Sequence, residues 1–170
     1  MSRPPTAARP WEDIQAQIAA TIVSGMDRSK CMHAFIDACW PLLQHSGVSW
    51  MGFYQRTPAD PMHLSLAARQ PVPACSPIGL HGACGQCLLA RRPLVIAHVA
   101  SLGSNYIACD PRDQSEIVLP CLEPDGTAWG VLDLDSHEIA SFDLADAASL
   151  ENLLVLAGLS AKLSNDAVQL

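Results

Sequence analysis

The fold is decided by Ser115-Glu116-Ile117-Val118-Leu119-Pro120-Cys121-Leu122-Glu123-Pro124-Asp125-Gly126-Thr127-Ala128-Trp129-Gly130-Val131-Leu132-Asp133-Leu134-Asp135-Ser136. Two runs of bulky apolar residues flank Asp125-Gly126, a dipeptide suited to tight hairpin turns. A two-residue turn pairs Pro124 with Thr127, so Glu116 faces Asp135 and Val118 faces Asp133. Paired side chains project to one side of a sheet, and successive residues alternate sides. Glu116, Asp133 and Asp135 therefore share a face with Val118, Leu122, Trp129 and Val131. The opposite face carries Ile117, Leu119, Cys121, Leu132 and Leu134 and is expected to pack on helices. Clustered carboxylates raise one another's pKa. An acidic, partly apolar surface suits a small ligand with a cationic group.

Helical periodicity lies at both ends of the chain. Trp11, Ile14, Ile18 and Ile22 form one apolar stripe, stopped by Gly25. Asp27 or Ser29 caps a second helix with the stripe Met32, Phe35, Ile36, Cys39, Trp40 and Leu43, disturbed by Pro41. Beyond the hairpin, Asp143 as N-cap and Asp146 three residues later start a last helix, expected to reach about Leu163. From Leu150 onward it is apolar nearly all round, which calls for cover by other helices or by a second subunit. Between these ends, Val48 to Gln55 reads as a strand, with Trp50, Gly52 and Tyr54 on one face and Met51 and Phe53 on the other. His63 to Ala67 and Leu94 to Ala97 read as further strands, and Ala83 to Arg91 as a short helix inside a loop-rich insert. The class is α+β, with residues 1–10 a proline-containing flexible tail and 11–165 one domain.

Composition excludes several roles. The chain has 170 residues, 49% of them hydrophobic, with ten Lys+Arg against 17 Asp+Glu and a formal net charge of −7. An acidic surface disfavours nucleic acid and anionic membrane. No apolar run is long enough to span a bilayer. The first ten residues lack the apolar core of a signal peptide, so a cytoplasmic location is expected. Seven cysteines in a reducing compartment point to redox chemistry or metal more than to structural bridges. Cys31, Cys39 and Cys121 fall on apolar faces and read as small core residues. Cys84-Gly85-Gln86-Cys87, with Cys75 and His81, raises the idea of zinc. Two ligands three apart with no second pair make a poor half-site, so no metal and no cofactor are expected.

Taken in order, Ser49-Trp50-Met51-Gly52-Phe53-Tyr54, Ala74-Cys75, Gly82-Ala83-Cys84-Gly85, His98-Val99, Tyr106-Ile107-Ala108-Cys109-Asp110 and the two hairpin strands resemble the free methionine-(R)-sulfoxide reductases, which are single GAF domains. The likeness covers about residues 45 to 145. It departs from the family where Leu80-His81-Gly82 replaces a usual Gly-Arg-Gly, where the Cys75–Cys84 segment is one residue shorter, and in the extra Cys87.

The resemblance implies a GAF-like fold: a central antiparallel sheet, terminal helices on one face, and the insert over a pocket on the other. It implies Cys109 as the residue attacking the sulfoxide sulfur, with Cys84 and Cys75 as resolving cysteines. Cys75 is expected to act first, from a loop able to move. Cys84, near a helix start, is expected to gain thiolate character from the helix dipole. Glu116, Asp133 and Asp135 match the substrate pocket's acids, Trp50 and Tyr54 its aromatic wall, and Glu116 is the favoured proton donor. The implied activity is thiol-dependent reduction of free methionine sulfoxide through a sulfenic acid and a disulfide, recycled by thioredoxin, in a homodimer. The rival readings are a non-catalytic GAF ligand-binding module and a cysteine-based redox sensor.

Overall fold

The structure is a computed structural model that describes residues 8–170. The expected flexible tail lies outside the described residues as far as residue 7. Of its remainder, Arg9 is buried. Its guanidinium meets the Asp146 carboxylate, donates to the Ser141 carbonyl at 2.8 Å and lies over the Phe142 ring.

The chain runs α1 (Trp11–Thr21), α2 (Arg28–Leu43), β1 (Trp50–Thr57), β2 (Asp60–Gln70), β3 (Ile78–Gly79), α3 (Ala83–Ala90), β4 (Leu94–Ile96), a 3₁₀ stretch Val99–Asn105, β5 (Ser115–Leu122), β6 (Ala128–Ser136), α4 (Leu144–Leu156) and β7 (Val168–Gln169). One seven-stranded sheet has the order β3-β2-β1-β6-β5-β4-β7. The central strands pair antiparallel, as expected, and β7 adds a short parallel pairing with β4 at one edge. A two-residue strand of mixed sequence carries no periodicity, so only the tertiary fold reveals it.

The sheet has two unlike faces. Ile117, Leu119, Cys121, Leu132, Leu134, Met51 and Phe53 pack on α1, α2 and α4. Trp50, Tyr54, Val118 and Val131 pack on the other side against α3 and the insert. Asp27 caps α2 by accepting from the Lys30 amide at 3.3 Å. At the start of α4, Asp143 and Asp146 form a reciprocal capping box. That helix stops at Leu156, not near Leu163. Gly158 takes φ +69°, the Leu159 amide reaches the Leu154 carbonyl at 2.9 Å, and the Gly158 amide reaches Val155 at 3.0 Å. This is a glycine-terminated Schellman end. Leu150, Leu153, Leu154 and Leu159 are buried within the chain's own core, whereas Val155 and Leu156 stay exposed.

The central hairpin reaches the expected register by an unexpected route. Glu116 does face Asp135, and Val118 does face Asp133. The turn, however, has three residues. Glu123 and Thr127 close it at 2.8 Å, and Gly126 takes φ +85°. A three-residue loop with a left-handed glycine shifts the register by one. A bulge between Cys121 and Leu122 shifts it back. The extra residue is Trp129, which leaves the acidic face and turns into the helical core, correcting the face expected for it. There it stacks 6.5 Å from Phe53 and donates to the Leu159 carbonyl at 3.1 Å. Beyond the bulge, the Leu122 amide donates to the Ser160 hydroxyl at 2.9 Å, and the Leu122 carbonyl accepts from the Ala161 amide at 2.9 Å.

Candidate active site

Three adjacent strands supply the pocket floor. Trp50 and Tyr54 come from β1, Asp133 and Asp135 from β6, and Glu116 from β5. Alternation places them on one face, and pairing of β1 with β6 sets Trp50 beside Asp135 and Gly52 beside Asp133. Gly52 is required there because the Trp50 indole folds over it. A Cβ would lie 2.8 Å from Cζ2 of that ring and 3.0 Å from the Ala68 carbonyl. The roof is α3, through Ala83 and Cys84, together with the loops carrying Ala74, Tyr106, Ile107 and Cys109.

Two of the acids are shielded from bulk water, and Asp135 is half-buried. Glu116 and Asp133 are each 6% exposed. Their oxygens and the Cys84 sulfur all lie within 4.8 Å of one another. Burial first, and the Asp133 charge second, hold the Glu116 carboxyl well above its ordinary range. Burial also raises Asp133, to about 7, although hydrogen bonds from Cys84 and Glu116 pull the other way. Asp135 is raised by burial and by Asp133. At neutral pH the floor therefore holds protonated carboxyl beside ionised carboxylate. It can give a proton to one part of a ligand and bind positive charge on another.

The cysteines sort by place. Cys75 and Cys109, both exposed, are joined by a disulfide with Cα atoms 5.5 Å apart. Cys84 is free, buried in the pocket, and donates to Asp133 at 3.3 Å. Burial and the Asp133 charge push its thiol well above the ordinary value, outweighing the helix start. The thiolate character expected of Cys84 is thus corrected. Cys87 is directed into the core, towards the Arg92 and Val118 carbonyls at 3.2 and 3.5 Å, so the Cys-X-X-Cys pair has no common focus. Cys31, Cys39 and Cys121 are buried in the helical-side core.

The aromatic wall does more than line the pocket. Trp50 Nε1 donates to the Val72 carbonyl at 2.8 Å, and the Tyr54 hydroxyl donates to the Cys75 carbonyl at 2.8 Å. These two bonds hold the Cys75 loop beside Cys109. Sequence reading missed Asp113, which is 6% exposed and lines the pocket from the loop before β5. Burial, then Asp110, raises its carboxyl to about 6. A polar residue in an irregular loop gives no periodic sign of facing inward.

Comparison with known proteins fits this geometry. The GAF domain family matches residues 12–161. The chain belongs to the GAF family. Within it, the chain groups with the free methionine-(R)-sulfoxide reductases. It is 33% identical to the free methionine-R-sulfoxide reductase of Saccharomyces cerevisiae over 110 residues, 64% of this chain and 61% of the yeast protein's own length. It superposes on the free methionine-R-sulfoxide reductase of Neisseria meningitidis, solved with its substrate, with a TM-score of 0.77. That match has 30% identity and covers 92% of this chain and 90% of the other. The reduced form of fRMsr of Staphylococcus aureus gives a TM-score of 0.74 and 30% identity, covering 92% and 97%. Among the described residues, no helix is long and apolar enough to cross a membrane.

Proposed function

We propose that this GAF domain reduces free methionine-(R)-sulfoxide to methionine, with Cys109 as the attacking thiol. The observation carrying this reading is an exposed Cys75–Cys109 disulfide on the rim of a pocket floored by buried carboxyls. A sulfoxide sulfur becomes electrophilic when its oxygen is protonated. Glu116, held neutral by burial and by Asp133, donates that proton. Asp133 and Asp135 take the substrate's α-ammonium, a charge that a residue within a peptide lacks. Trp50 closes the side of the pocket.

The reduced Cys109 Sγ attacks the protonated sulfoxide's sulfur and forms a bond to it. The oxygen then passes from that sulfur to Sγ as the sulfur–oxygen bond and the new sulfur–sulfur bond break, so methionine leaves with the electron pair and Cys109 is left as a sulfenic acid. The Cys75 thiol then displaces that oxygen as water and closes the disulfide. An external dithiol of the thioredoxin class restores both thiols by exchange. Cys84 remains a neutral thiol that orients Asp133, and Cys75 is the resolving residue. We also read the protein as a cytoplasmic homodimer, with the exposed Val23, Val155 and Leu156 as the apolar contact surface.

The test is steady-state turnover with dithiothreitol, comparing free methionine-(R)-sulfoxide, its (S) epimer and a blocked peptide sulfoxide. Reduction of the first alone is expected. Saturable binding of methionine sulfoxide without any methionine formed would favour the non-catalytic GAF module instead.

A further inference from the structure

A second group of metal-ligating side chains lies outside the pocket floor, on its rim. It joins Asp110 and Asp113, in the loop after Cys109, to His137, just past the end of β6. His137 Nε2 is 3.5 Å from Asp110 Oδ2 and 3.6 Å from Asp113 Oδ1. These separations exceed the ordinary hydrogen-bond length of about 2.9 Å. They fit another geometry. Nitrogen and oxygen ligands held about 2.0–2.2 Å from a tetrahedral metal sit roughly 3.3–3.6 Å from each other.

Each ligand is prepared for that use. The Asp113 side chain is only 5% exposed, and its Oδ1, 3.6 Å from His137 Nε2, has no hydrogen bond of ordinary geometry, the Ser49 hydroxyl being another polar neighbour of the carboxyl. A buried carboxylate oxygen in that state is stabilised by added positive charge, which a bound cation supplies. Asp110 is fixed by the Arg112 guanidinium, which donates to its two oxygens at 2.7, 3.0 and 3.2 Å. Such outer hydrogen bonds orient metal-binding carboxylates while leaving a lone pair free. Arg112 offsets one of the two carboxylate charges, so one net negative charge remains for a cation. His137, 39% exposed, leaves the outer side open to an additional ligand.

We propose that Asp110, Asp113 and His137 form a binding site for a divalent transition metal of the zinc class. One imidazole and two carboxylates, with an outward open position, suit zinc or cobalt better than calcium or magnesium, which favour all-oxygen shells. The site opens onto the outer groove that Cys109 and Trp50 also line. Although Asp113 also lines the pocket, the site stands apart from the reductase reading, because it is tested by metal binding and not by turnover.

The experiment titrates the disulfide form of the full chain with Co²⁺ as the spectroscopic probe, followed by Zn²⁺ competition in a calorimeter. The expected result is saturation at one equivalent, with visible d–d bands of low-coordinate cobalt and no thiolate-to-cobalt charge-transfer band. His137→Ala, at an exposed position, and Asp113→Asn should each weaken binding by about tenfold or more. If Asp113→Asn fails to fold by circular dichroism, Asp110→Asn replaces it. Absence of saturable binding would overturn the proposal. So would affinities unchanged in these variants, or a thiolate band placing the metal on Cys84.

Discussion

Replacing Glu116 by glutamine isolates what the pocket floor contributes. The substitution keeps size and hydrogen-bonding capacity but removes the transferable proton. In the structure Glu116 is 6% exposed, with an oxygen within 4.8 Å of an Asp133 oxygen. Two carboxylate charges at that distance, with an effective dielectric constant of about 20, repel by about 3.5 kcal/mol. One proton is therefore retained on the pair at neutral pH, in keeping with the upward direction at Glu116. If that proton goes to the sulfoxide oxygen, losing the donor should lower kcat by about 10²–10⁴-fold, the usual contribution of a positioned general acid. Folding should be hardly affected, because the amide of Glu116→Gln stays neutral beside an ionised Asp133. The assay is methionine formation in single turnovers from pH 5.5 to 8.5, alongside thermal unfolding. The wild-type rate should fall as pH rises through the ionisation of the acid, and the variant should lose that limb. A Glu116→Gln protein with a rate within about threefold of wild type and the same pH profile would refute the assignment.

Three further outcomes follow from particular contacts. Tyr54→Phe removes the 2.8 Å bond to the Cys75 carbonyl, worth about 1 kcal/mol. Dimedone trapping after one equivalent of sulfoxide should then capture more Cys109 sulfenic acid than in wild type, and equal trapping would contradict the anchoring role. Gly85→Ala puts a Cβ into the Leu80 backbone, which cannot swing aside. A loss of about 1–3 kcal/mol in urea unfolding is expected, and an unchanged midpoint would count against the packing of α3. The third outcome concerns pH and stability. Asp113 and Asp133 have folded-state pKa values of about 6 and 7, above their unfolded values. Their contribution is complete below about pH 4 and is lost as pH rises through 6–7. Wild type should therefore lose stability between about pH 4 and 7, and Asp133→Asn should flatten the slope. An identical slope in the variant would show that other groups set it.

How much of this was legible in the sequence depends on the range of the forces involved. Alternation in the hairpin strands and in Trp50-Met51-Gly52-Phe53-Tyr54 is a local property, and it gathers the acids and aromatics on one face as expected. The turn was not so readable. Asp125-Gly126 favours a short loop, but Pro124 joins it, and a bulge restores the register only because Trp129 gains a place between Phe53 and the Leu159 carbonyl. That gain comes from packing against helices far away in sequence. The end of α4 was legible in principle, since Gly158 is the residue a Schellman end requires, yet the apolar run around it hid the signal. Asp113 and His137 lie 24 residues apart in irregular chain, and only the closed sheet brings them together. Cys84 shows the same limit. Its helix position suggested a reactive thiol, whereas burial beside Asp133 decides its state.

The central claim is that the Cys109 thiol takes the sulfoxide oxygen and Cys75 resolves it. Its most direct test mixes fully reduced protein with one equivalent of free methionine-(R)-sulfoxide and no reductant, then measures methionine formed and maps the disulfides by mass. One equivalent of methionine and a Cys75–Cys109 bridge are expected from wild type. Cys109→Ser should form none, and Cys75→Ser should form one equivalent while stopping at the Cys109 sulfenic acid. Methionine formed by Cys109→Ser, or a wild-type bridge that excludes Cys109, would contradict the account.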